Sequence, residues 1–410
     1  MAAVYRAAWV LPIAGPPLAN GWVAVEGAHV VAAGGQGEPA PAGRPAIDLG
    51  AAAVLPGLVN AHTHLELSYL HERIPPTPRF GDWVRAVMAS RRQYPDPADP
   101  AIVEPARGAI DAALAAGTAL FGDVSNTLVT VPLLREAGAP AHVFHELTGF
   151  TEEDPESRVR EARARADAGA GGAVRISVAP HAPYSVSAGL FRCIRADVDA
   201  HREAVFTVHL GETPEEVEFL RHGSGGIRRV LEELGRWPSG WQPPGVGPVE
   251  YLAALGVLDS RVLAVHGVLF DDRDLERLRE SGATVVSCPR SNRHVGAGSP
   301  PLEAFYRAGL NIAFGTDSLA SAPDLNLFAE LREARRIAPG IAARRLLESA
   351  TLTGARALGF GDELGSIEPG KRAALLAVGV PPDVEDVEEY LVSGIAPGEV
   401  RWVCELNADS

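Results

Sequence analysis

The sequence predicts an α/β protein, a (β/α)8 TIM-like barrel with a small β-sandwich domain formed by both chain ends. In the middle of the chain, eight short apolar runs alternate with amphipathic segments, as buried parallel strands alternate with covering helices. Both ends carry β-like runs broken by Gly and Pro, and neither end is long enough to bury a core by itself. We therefore assign residues 1–55 and 361–410 to one composite β domain and residues 56–360 to the barrel.

The predicted barrel elements follow the chain at regular intervals. The strands are expected at residues 54–59, 118–121, 141–145, 174–179, 205–209, 262–266, 284–287 and 312–314. The clearest helices between and after them are expected at residues 101–116, 157–168, 271–281 and 325–337. A doubly wound open sheet is the alternative, but the GxGxxG motif typical of its first turn is missing after residue 59.

One segment, residues 221–249, breaks the alternation. It is rich in Gly and Pro, contains Trp237 and Trp241, and follows the fifth predicted strand. Loops after strands lie on the catalytic face of a barrel, so the segment is a candidate lid. A surface insertion without a role is the alternative.

Composition excludes several classes of function. The 410 residues carry a formal net charge of −15, which argues against a nucleic-acid partner or an anionic membrane surface. The three cysteines are far apart and show no CxxC spacing, so we expect a reducing, cytoplasmic compartment. No apolar run reaches the roughly 18 residues of a membrane helix.

Lysine usage has a chemical consequence. Lys371 is the only lysine, and every other member of the 37 basic residues is arginine. Codon bias from a GC-rich genome explains the count. Because Lys371 lies beyond the predicted barrel, a mechanism that needs a lysine inside the barrel is excluded.

Polar residues at the predicted strand ends indicate a metal site. His62 and His64 follow the first strand, and positions i and i+2 of an extended segment point to the same side. His209 and His266 end the fifth and sixth strands, and Asp317 follows the eighth. Imidazoles together with a carboxylate suit a divalent borderline metal such as zinc. A lone HxH is often structural, but four strands that each end on such a residue predict a metal centre.

These motifs resemble the amidohydrolase superfamily along nearly the whole chain. The runs that carry the resemblance are residues 55–64, 181–185, 209–212, 266–267, 288–292, 315–318 and 325–328. Binuclear members bridge two metals with a carboxylated lysine on the fourth strand, and residues 174–179 contain none. The resemblance therefore implies the mononuclear branch, typified by deaminases of nucleobases and nucleosides, with one divalent ion, zinc in preference to iron.

The resemblance also implies roles for individual residues. The implied metal ligands are His62, His64, His209 and Asp317. Glu212 is expected to carry a proton from water to the leaving nitrogen, and Asp317 to accept a proton from the water. His266 is expected beside the water as a further catalytic group, with direct ligation of the metal as the alternative.

Four more residues are expected to contact the substrate. They are Glu66, His181, Arg290 and Asn292. Three of them have a structural role as the alternative. Glu66 would then support the site as a carboxylate, His181 would be a packed histidine, and Asn292 would support the loops at the mouth of the barrel.

Three runs narrow the resemblance further. Residues 248–252, 288–294 and 315–321 resemble aminodeoxyfutalosine deaminases, which remove the 6-amino group of an adenine-containing intermediate in bacterial menaquinone biosynthesis. The implied partners are this small aminopurine nucleoside and water, and a homodimer is one candidate oligomeric state. The competing functions are a deaminase of adenosine, S-adenosylhomocysteine or guanine, a triazine-type hydrolase, and a non-catalytic binding protein.

Overall fold

The computed structural model describes residues 2–77 and 79–404. The chain divides into two compact units, the first from Met1–Ala61, Asp111–Leu120 and Asn326–Ser410 and the second from His62–Ile110 and Phe121–Leu325. The first unit includes residues 326–360, which the sequence analysis assigned to the barrel, so the predicted domain bounds stay a prediction.

The strands and helices of the described residues follow in chain order. The strands are β1 (Ala2–Val10), β2 (Leu18–Glu26), β3 (His29–Gly34), β4 (Ala46–Asp48), β5 (Ala52–Pro56), β6 (Leu58–Thr63), β7 (Thr118–Ser125), β8 (Ala141–Leu147), β9 (Val174–Pro180), β10 (Phe206–Leu210), β11 (Val262–His266), β12 (Thr284–Ser287), β13 (Asn311–Phe314), β14 (Leu375–Gly379) and β15 (Val400–Trp402). The helices are α1 (Phe80–Arg91), α2 (Pro100–Ala115), α3 (Thr130–Glu136), α4 (Pro155–Gly169), α5 (Ala188–Ala200), α6 (Pro214–His222), α7 (Gly225–Glu233), α8 (Pro248–Ala254), α9 (Asp272–Ser281), α10 (Pro289–His294), α11 (Leu302–Arg307), α12 (Leu327–Ile337), α13 (Ala343–Glu348), α14 (Gly354–Ala357) and α15 (Val387–Val392).

The first unit is organised around a seven-stranded sheet. Its order is β15-β14-β5-β1-β2-β3, with β4 paired to β1. Strands β1–β5 come from the beginning of the chain and β14 and β15 from its end, so both ends contribute to one sheet. Tyr5, Val23 and Val54 pack with Ile367 and Leu375 in a core that neither end supplies by itself.

The parallel strands, most of whose residues lie in the second unit, form two four-stranded sheets. Their orders are β6-β7-β8-β9 and β10-β11-β12-β13, so neighbouring strands also follow one another in sequence. Every residue of β7, β8, β10 and β11 is buried, as expected for strands covered on both faces.

Backbone hydrogen bonds link the two sheets at their carboxyl ends. The His209 N–H donates to the His181 carbonyl at 2.9 Å, and the Asp317 N–H donates to the His62 carbonyl at 3.0 Å. Thr63 and Asp317 also form a parallel bridge. The predicted α/β class with parallel strands is confirmed, and the links occur at the end of the strands where the candidate ligands lie.

The prediction of one strand over residues 54–59 was wrong. The structure has two strands there, β5 in the seven-stranded sheet and β6 in a parallel sheet, separated by Gly57. A Cβ at Gly57 would lie 2.4 Å from the Cβ of Ala119, so only glycine fits between the strands. As a result His62 lies inside β6 and His64 just after it.

Helix length and polarity bear on membrane association. Within residues 2–77 and 79–404, none of the helices is long and apolar enough to cross a membrane.

Candidate active site

The predicted metal ligands converge at the carboxyl ends of three strands. His62 lies within β6 and His64 directly follows this strand. His209 lies within β10, and Asp317 is three residues beyond the end of β13. His62, His209 and Asp317 are buried and His64 is half-buried. The tertiary structure brings these residues together from distant parts of the chain because parallel strands end at one edge.

The imidazoles face one another closely. His64 Nε2 and His209 Nε2 are 3.3 Å apart. His62, His64 and His209 each offer a ligand atom, and these atoms lie within 4.8 Å of one another. Asp317 Oδ1 lies 3.5 Å from His64 Nε2 and 3.9 Å from His62 Nε2. Four donor atoms therefore surround one small volume.

This donor set fits a divalent metal ion. His62 is fully buried, yet neither of its ring nitrogens has a hydrogen-bond partner among the described residues. His209 Nδ1 lies 3.0 Å from the His181 carbonyl and must donate to it, so its Nε2 keeps a lone pair. Two imidazole nitrogens on a tetrahedral zinc would be about 3.3 Å apart, since zinc–nitrogen bonds are about 2.0–2.1 Å long. The cluster supplies unprotonated nitrogens at that spacing.

Burial keeps these histidines neutral. It lowers the pKa of His64 to about 3, an effect that neighbouring imidazoles reinforce although Asp317 acts in the opposite direction. Burial also lowers the pKa of His62 well below its ordinary value and lowers the pKa of His209. A neutral imidazole offers the lone pair that a metal requires.

Glu212 and His266 lie beside the cluster. Glu212 follows β10 and is buried, with Oε1 3.7 Å from Nε2 of His266, the last residue of β11. Burial, together with the nearby Asp317 and Glu216 carboxyls, raises the pKa of Glu212 well above its ordinary value. A raised pKa favours the protonated carboxyl, which is the form that can donate a proton.

Sequence comparison decides the family. Residues 53–397 match the Amidohydrolase family, which is most of the chain. The chain belongs to the amidohydrolase family. It is a hydrolase acting on carbon–nitrogen bonds and falls in the deaminase branch of that family.

Two relatives carry specific names. The aminodeoxyfutalosine deaminase of Deinococcus radiodurans is 32% identical, over 75% of this chain and 74% of its own. The 5-methylthioadenosine/S-adenosylhomocysteine deaminase of Moorella thermoacetica is 31% identical, over 96% of this chain and 94% of its own.

A solved structure is similar along nearly the whole chain. An adenosine deaminase from Xanthomonas campestris with bound zinc superposes with a TM-score of 0.78 at 28% identity. The match covers 97% of this chain and 90% of that one. This amidohydrolase therefore shares its fold with a zinc-containing member of the family.

Two candidate site residues of this amidohydrolase have unusual backbone conformations. His266 has φ +80° and Asp317 has φ +60°, in the left-handed region that non-glycine residues seldom adopt. Such strain persists where the surrounding structure requires a particular side-chain direction. Neither conformation could be foreseen from sequence, because both depend on the loops that follow β11 and β13.

Serine residues hold the Asp317 carboxylate. The Ser291 hydroxyl donates to Oδ2 at 2.5 Å and the Ser321 hydroxyl at 3.2 Å, and the Ser318 N–H donates to Oδ1 at 2.8 Å. Burial acts to raise the pKa of Asp317, but the His64 and His266 imidazoles and the Ser291 bond outweigh it, so its pKa is lowered. The sequence indicates that Ser291 lies near the site, but the bonds of Ser291 and Ser321 to Asp317 could not be foreseen from it.

Two of the expected substrate contacts have protein partners. Glu66 Oε2 accepts from the Ser125 hydroxyl at 2.6 Å and from the Thr127 hydroxyl at 2.9 Å, and Arg91 donates to Oε1 at 3.2 Å. Arg290 is buried and donates through Nη2 to the carbonyl and the carboxylate of Asp324, both at 2.8 Å. Their predicted contacts with substrate stay predictions.

His181 and Asn292 lie nearer the cluster. The His181 ring centroid is 4.8 Å from that of His209, and His181 Nδ1 is 2.6 Å from the Ser185 hydroxyl. Burial lowers the pKa of His181 to about 4. The Asn292 amide nitrogen is 3.0 Å from His266 Nδ1, so this residue supports His266.

Two further buried carboxyl groups lie beside the site. Asp123 accepts from the Leu65 N–H at 2.9 Å and the Thr130 hydroxyl at 2.6 Å, and thereby fixes the turn after His64. Glu146 Oε1 lies 3.6 Å from His209 Nδ1. Glu146 directly follows a predicted strand, so the sequence indicates its position near the site, whereas Asp123 belongs to no recognisable motif and could not be foreseen.

We expect Gly315→Ala to disrupt the site and destabilise the protein. A Cβ at this position would lie 2.6 Å from the His62 carbonyl oxygen and 2.8 Å from the His62 Cβ. Because backbone atoms cannot rotate away, the free energy of unfolding should fall by about 1–3 kcal/mol, and His62 should be displaced. Urea unfolding and metal content test this. Gly379→Ala is the control, since this exposed glycine has no neighbour within 4 Å of the added Cβ and, like Gly315, no positive φ.

A cavity of about 820 Å³ is lined by Thr213 and Pro214, which follow Glu212 in the sequence, and by Phe80 and Arg85 of α1. Glu233 of α7 also lines it and forms a two-fold ion pair with Arg85, at 2.9 and 3.0 Å. The metal-site histidines do not line this cavity, so it is distinct from the metal cluster.

The predicted lid segment, residues 221–249, borders this cavity through α7. Its two tryptophans pack on aromatic neighbours: Trp241 stacks on Phe219 at 4.9 Å, and Trp237 meets Trp241 edge-on at 5.4 Å. The segment is thus anchored through an aromatic cluster. Movement of this segment on substrate binding stays a prediction.

Proposed function

We propose that this hydrolytic deaminase acts on the 6-amino group of an adenine nucleoside, and that its substrate is 6-amino-6-deoxyfutalosine. The observation that carries the reaction type is the cluster of three neutral imidazoles beside Asp317, Glu212 and His266. The substrate choice is supported by the relative from Deinococcus radiodurans and by the runs at residues 248–252, 288–294 and 315–321. The reaction would serve menaquinone biosynthesis.

A second candidate substrate has its own support. The Moorella thermoacetica relative, whose name specifies 5-methylthioadenosine and S-adenosylhomocysteine, matches this chain over 96% of its length. Both candidates are adenine nucleosides with a different group at the far end. The chemistry at the purine is therefore common to both.

We assign the metal to His62, His64, His209 and Asp317, and expect one ion, zinc in preference to iron. When bound, a divalent cation would act as a Lewis acid and lower the pKa of a water molecule at the site to about 7. The lone pairs that would hold it are those of the unpartnered His62 ring and of His209 Nε2.

The remaining steps use side chains of this chain. Glu212 protonates ring nitrogen N1 of the purine, which makes C6 electrophilic, while the oxygen of water bonds to C6. Asp317 takes one proton from that oxygen, and the now ionised Glu212 takes the other and passes it to the amino nitrogen. The C6–N bond then breaks, ammonia leaves with the electron pair, a C6 carbonyl forms, and the proton on Asp317 returns through solvent to Glu212. His266 donates a hydrogen bond to the attacking oxygen, and N1 keeps its proton in the 6-oxopurine product.

We also propose a cytoplasmic location, in keeping with three cysteines that lie far apart in the sequence and show no CxxC spacing. A homodimer is the proposed candidate assembly, and no nucleic-acid or membrane partner is proposed.

A substrate panel tests the assignment. Purified zinc-loaded protein is given 6-amino-6-deoxyfutalosine, 5-methylthioadenosine, S-adenosylhomocysteine and adenosine, with ultraviolet absorbance and ammonia release as readouts. We expect the highest kcat/KM for 6-amino-6-deoxyfutalosine, by at least about tenfold. A higher value for any other nucleoside would overturn the substrate choice.

Two further measurements address the triazine-type hydrolase and the non-catalytic binding protein. Adding an aminotriazine and a chlorotriazine to the panel tests for triazine hydrolase activity. If the protein bound no metal and turned over no compound in the panel, it would be a non-catalytic binding protein.

A further inference from the structure

Asn292 and His266 form a buried pair, and their contact restricts which ring nitrogen of His266 carries the hydrogen. The Asn292 amide nitrogen lies 3.0 Å from His266 Nδ1, and both residues are almost fully buried. The other ring nitrogen, Nε2, faces Glu212 Oε1 at 3.7 Å. A neutral imidazole carries one hydrogen, on either Nδ1 or Nε2, and its partners determine which.

The carboxyl group of Glu212 accommodates a hydrogen on Nε2. An Nε2–H directed at Oε1 is attractive when Glu212 is ionised, and also when the proton of Glu212 is on Oε2. With the hydrogen on Nε2, the Nδ1 atom is an acceptor, and the Asn292 amide donates to it.

The Asn292 amide itself favours the same arrangement. Its carbonyl oxygen is buried without a hydrogen-bond partner among the described residues. Turning the amide over would put the NH₂ group in that place and leave buried N–H groups without acceptors. Under-satisfied buried carbonyls are found more often than orphaned buried N–H groups, so the amide that donates to His266 is preferred.

We propose that Asn292 is a positioning residue that holds His266 as the Nε2–H tautomer. In this state neither ring nitrogen of His266 has a free lone pair, so His266 stays outside the ligand set of the metal and acts as a hydrogen-bond donor. The consequence for turnover rests on the proposed function, but the tautomer does not.

The fixed direction of the ring strengthens the assignment. His266 adopts φ +80°, and its ring centroid lies 5.4 Å from that of His209 in a stacked arrangement. A ring rotated to offer Nδ1 to the cluster would lose the Asn292 bond. The backbone, the stack and the amide therefore favour one orientation with one donor directed towards Glu212.

Nitrogen NMR on the wild-type, zinc-loaded protein tests the tautomer directly. Protein labelled with ¹⁵N in its 12 histidines is compared with a His266→Gln sample to identify the His266 signals. We expect Nδ1 to resonate as a nitrogen without hydrogen and Nε2 as an N–H nitrogen. The reverse pattern, or two N–H nitrogens, would overturn the proposal, whatever the substrate is.

An Asn292→Asp variant tests the effect on turnover. A carboxylate can only accept, so it should draw the hydrogen of His266 to Nδ1. We expect kcat to fall by roughly 100-fold or more, while KM changes less than about threefold and metal content is unchanged. The His266 nitrogen signals should change with it. Unchanged signals together with wild-type kcat would contradict the proposal.

A matched control makes the same chemical change elsewhere. Asn311 is exposed at the start of β13, and its amide donates to the Gly282 carbonyl at 3.2 Å. Asn311→Asp should leave kcat and the His266 signals at wild-type values. If Asn292→Asp fails to fold, the wild-type NMR measurement still decides the tautomer.

Discussion

Glu212→Gln is expected to keep its metal and to lose roughly 10³- to 10⁴-fold in kcat. Glutamine has nearly the same shape but can neither release nor accept a proton at its side chain. The position is buried and 3.7 Å from His266, so solvent cannot readily take over the proton transfer. The Glu212 N–H donates to Glu216 Oε2 at 3.0 Å, and this backbone contact is preserved in the variant.

The measurement is steady-state kinetics with metal analysis of the same sample. Glu276→Gln is the control, since Glu276 is exposed on α9 and does not line the cavity described above. We expect wild-type rates in the control. Wild-type rates in Glu212→Gln would remove this residue from the mechanism.

Asp317→Asn is expected to weaken metal binding by at least about tenfold and to lower kcat by several orders of magnitude. A neutral amide is a poorer ligand than a carboxylate and cannot accept the proton of water. One of its two polar atoms would be an NH₂ group. If the NH₂ group took the place of Oδ2, it would face the hydroxyls of Ser291 and Ser321. If it took the place of Oδ1, it would face the Ser318 N–H.

Competition with a chelator measures the affinity, and elemental analysis measures the metal content. Asp272→Asn, at an exposed position in the first turn of α9, makes the same substitution away from the mouth. Full zinc content and unchanged kcat in Asp317→Asn would show that Asp317 is not a ligand.

The sequence could predict the candidate ligands because local geometry and strand direction are enough for that purpose. His62 and His64 share a side in any extended segment, and residues at the ends of parallel strands meet at one edge. His209, His266 and Asp317 could therefore be assigned to one mouth before any distance was known. The boundary between β5 and β6 could not be foreseen, since it depends on the close approach of Ala119 to Gly57.

The sequence could not predict the directions of the side chains or their hydrogen-bond partners. Arg290 donates to Asp324 and the Asn292 amide lies 3.0 Å from His266, and the sequence could not identify either partner; the predicted contacts of both residues with substrate stay predictions. Glu66 is held by the hydroxyls of Ser125 and Thr127. A pattern of residue types predicts that a residue lies at the carboxyl ends of the parallel strands. It does not predict the residue's hydrogen-bond partners, because these come from other parts of the chain.

By itself, the sequence determined the α/β class with parallel strands and the residues available at the strand ends, because periodicity and residue chemistry are local properties. It also removed a lysine-bridged site, since Lys371 is the only lysine. Only the tertiary structure decided that His64 and His209 lie 3.3 Å apart, that serines hold Asp317, and that Asn292 faces His266. These are distances between atoms on different strands, and they follow from packing and backbone strain that no single segment encodes.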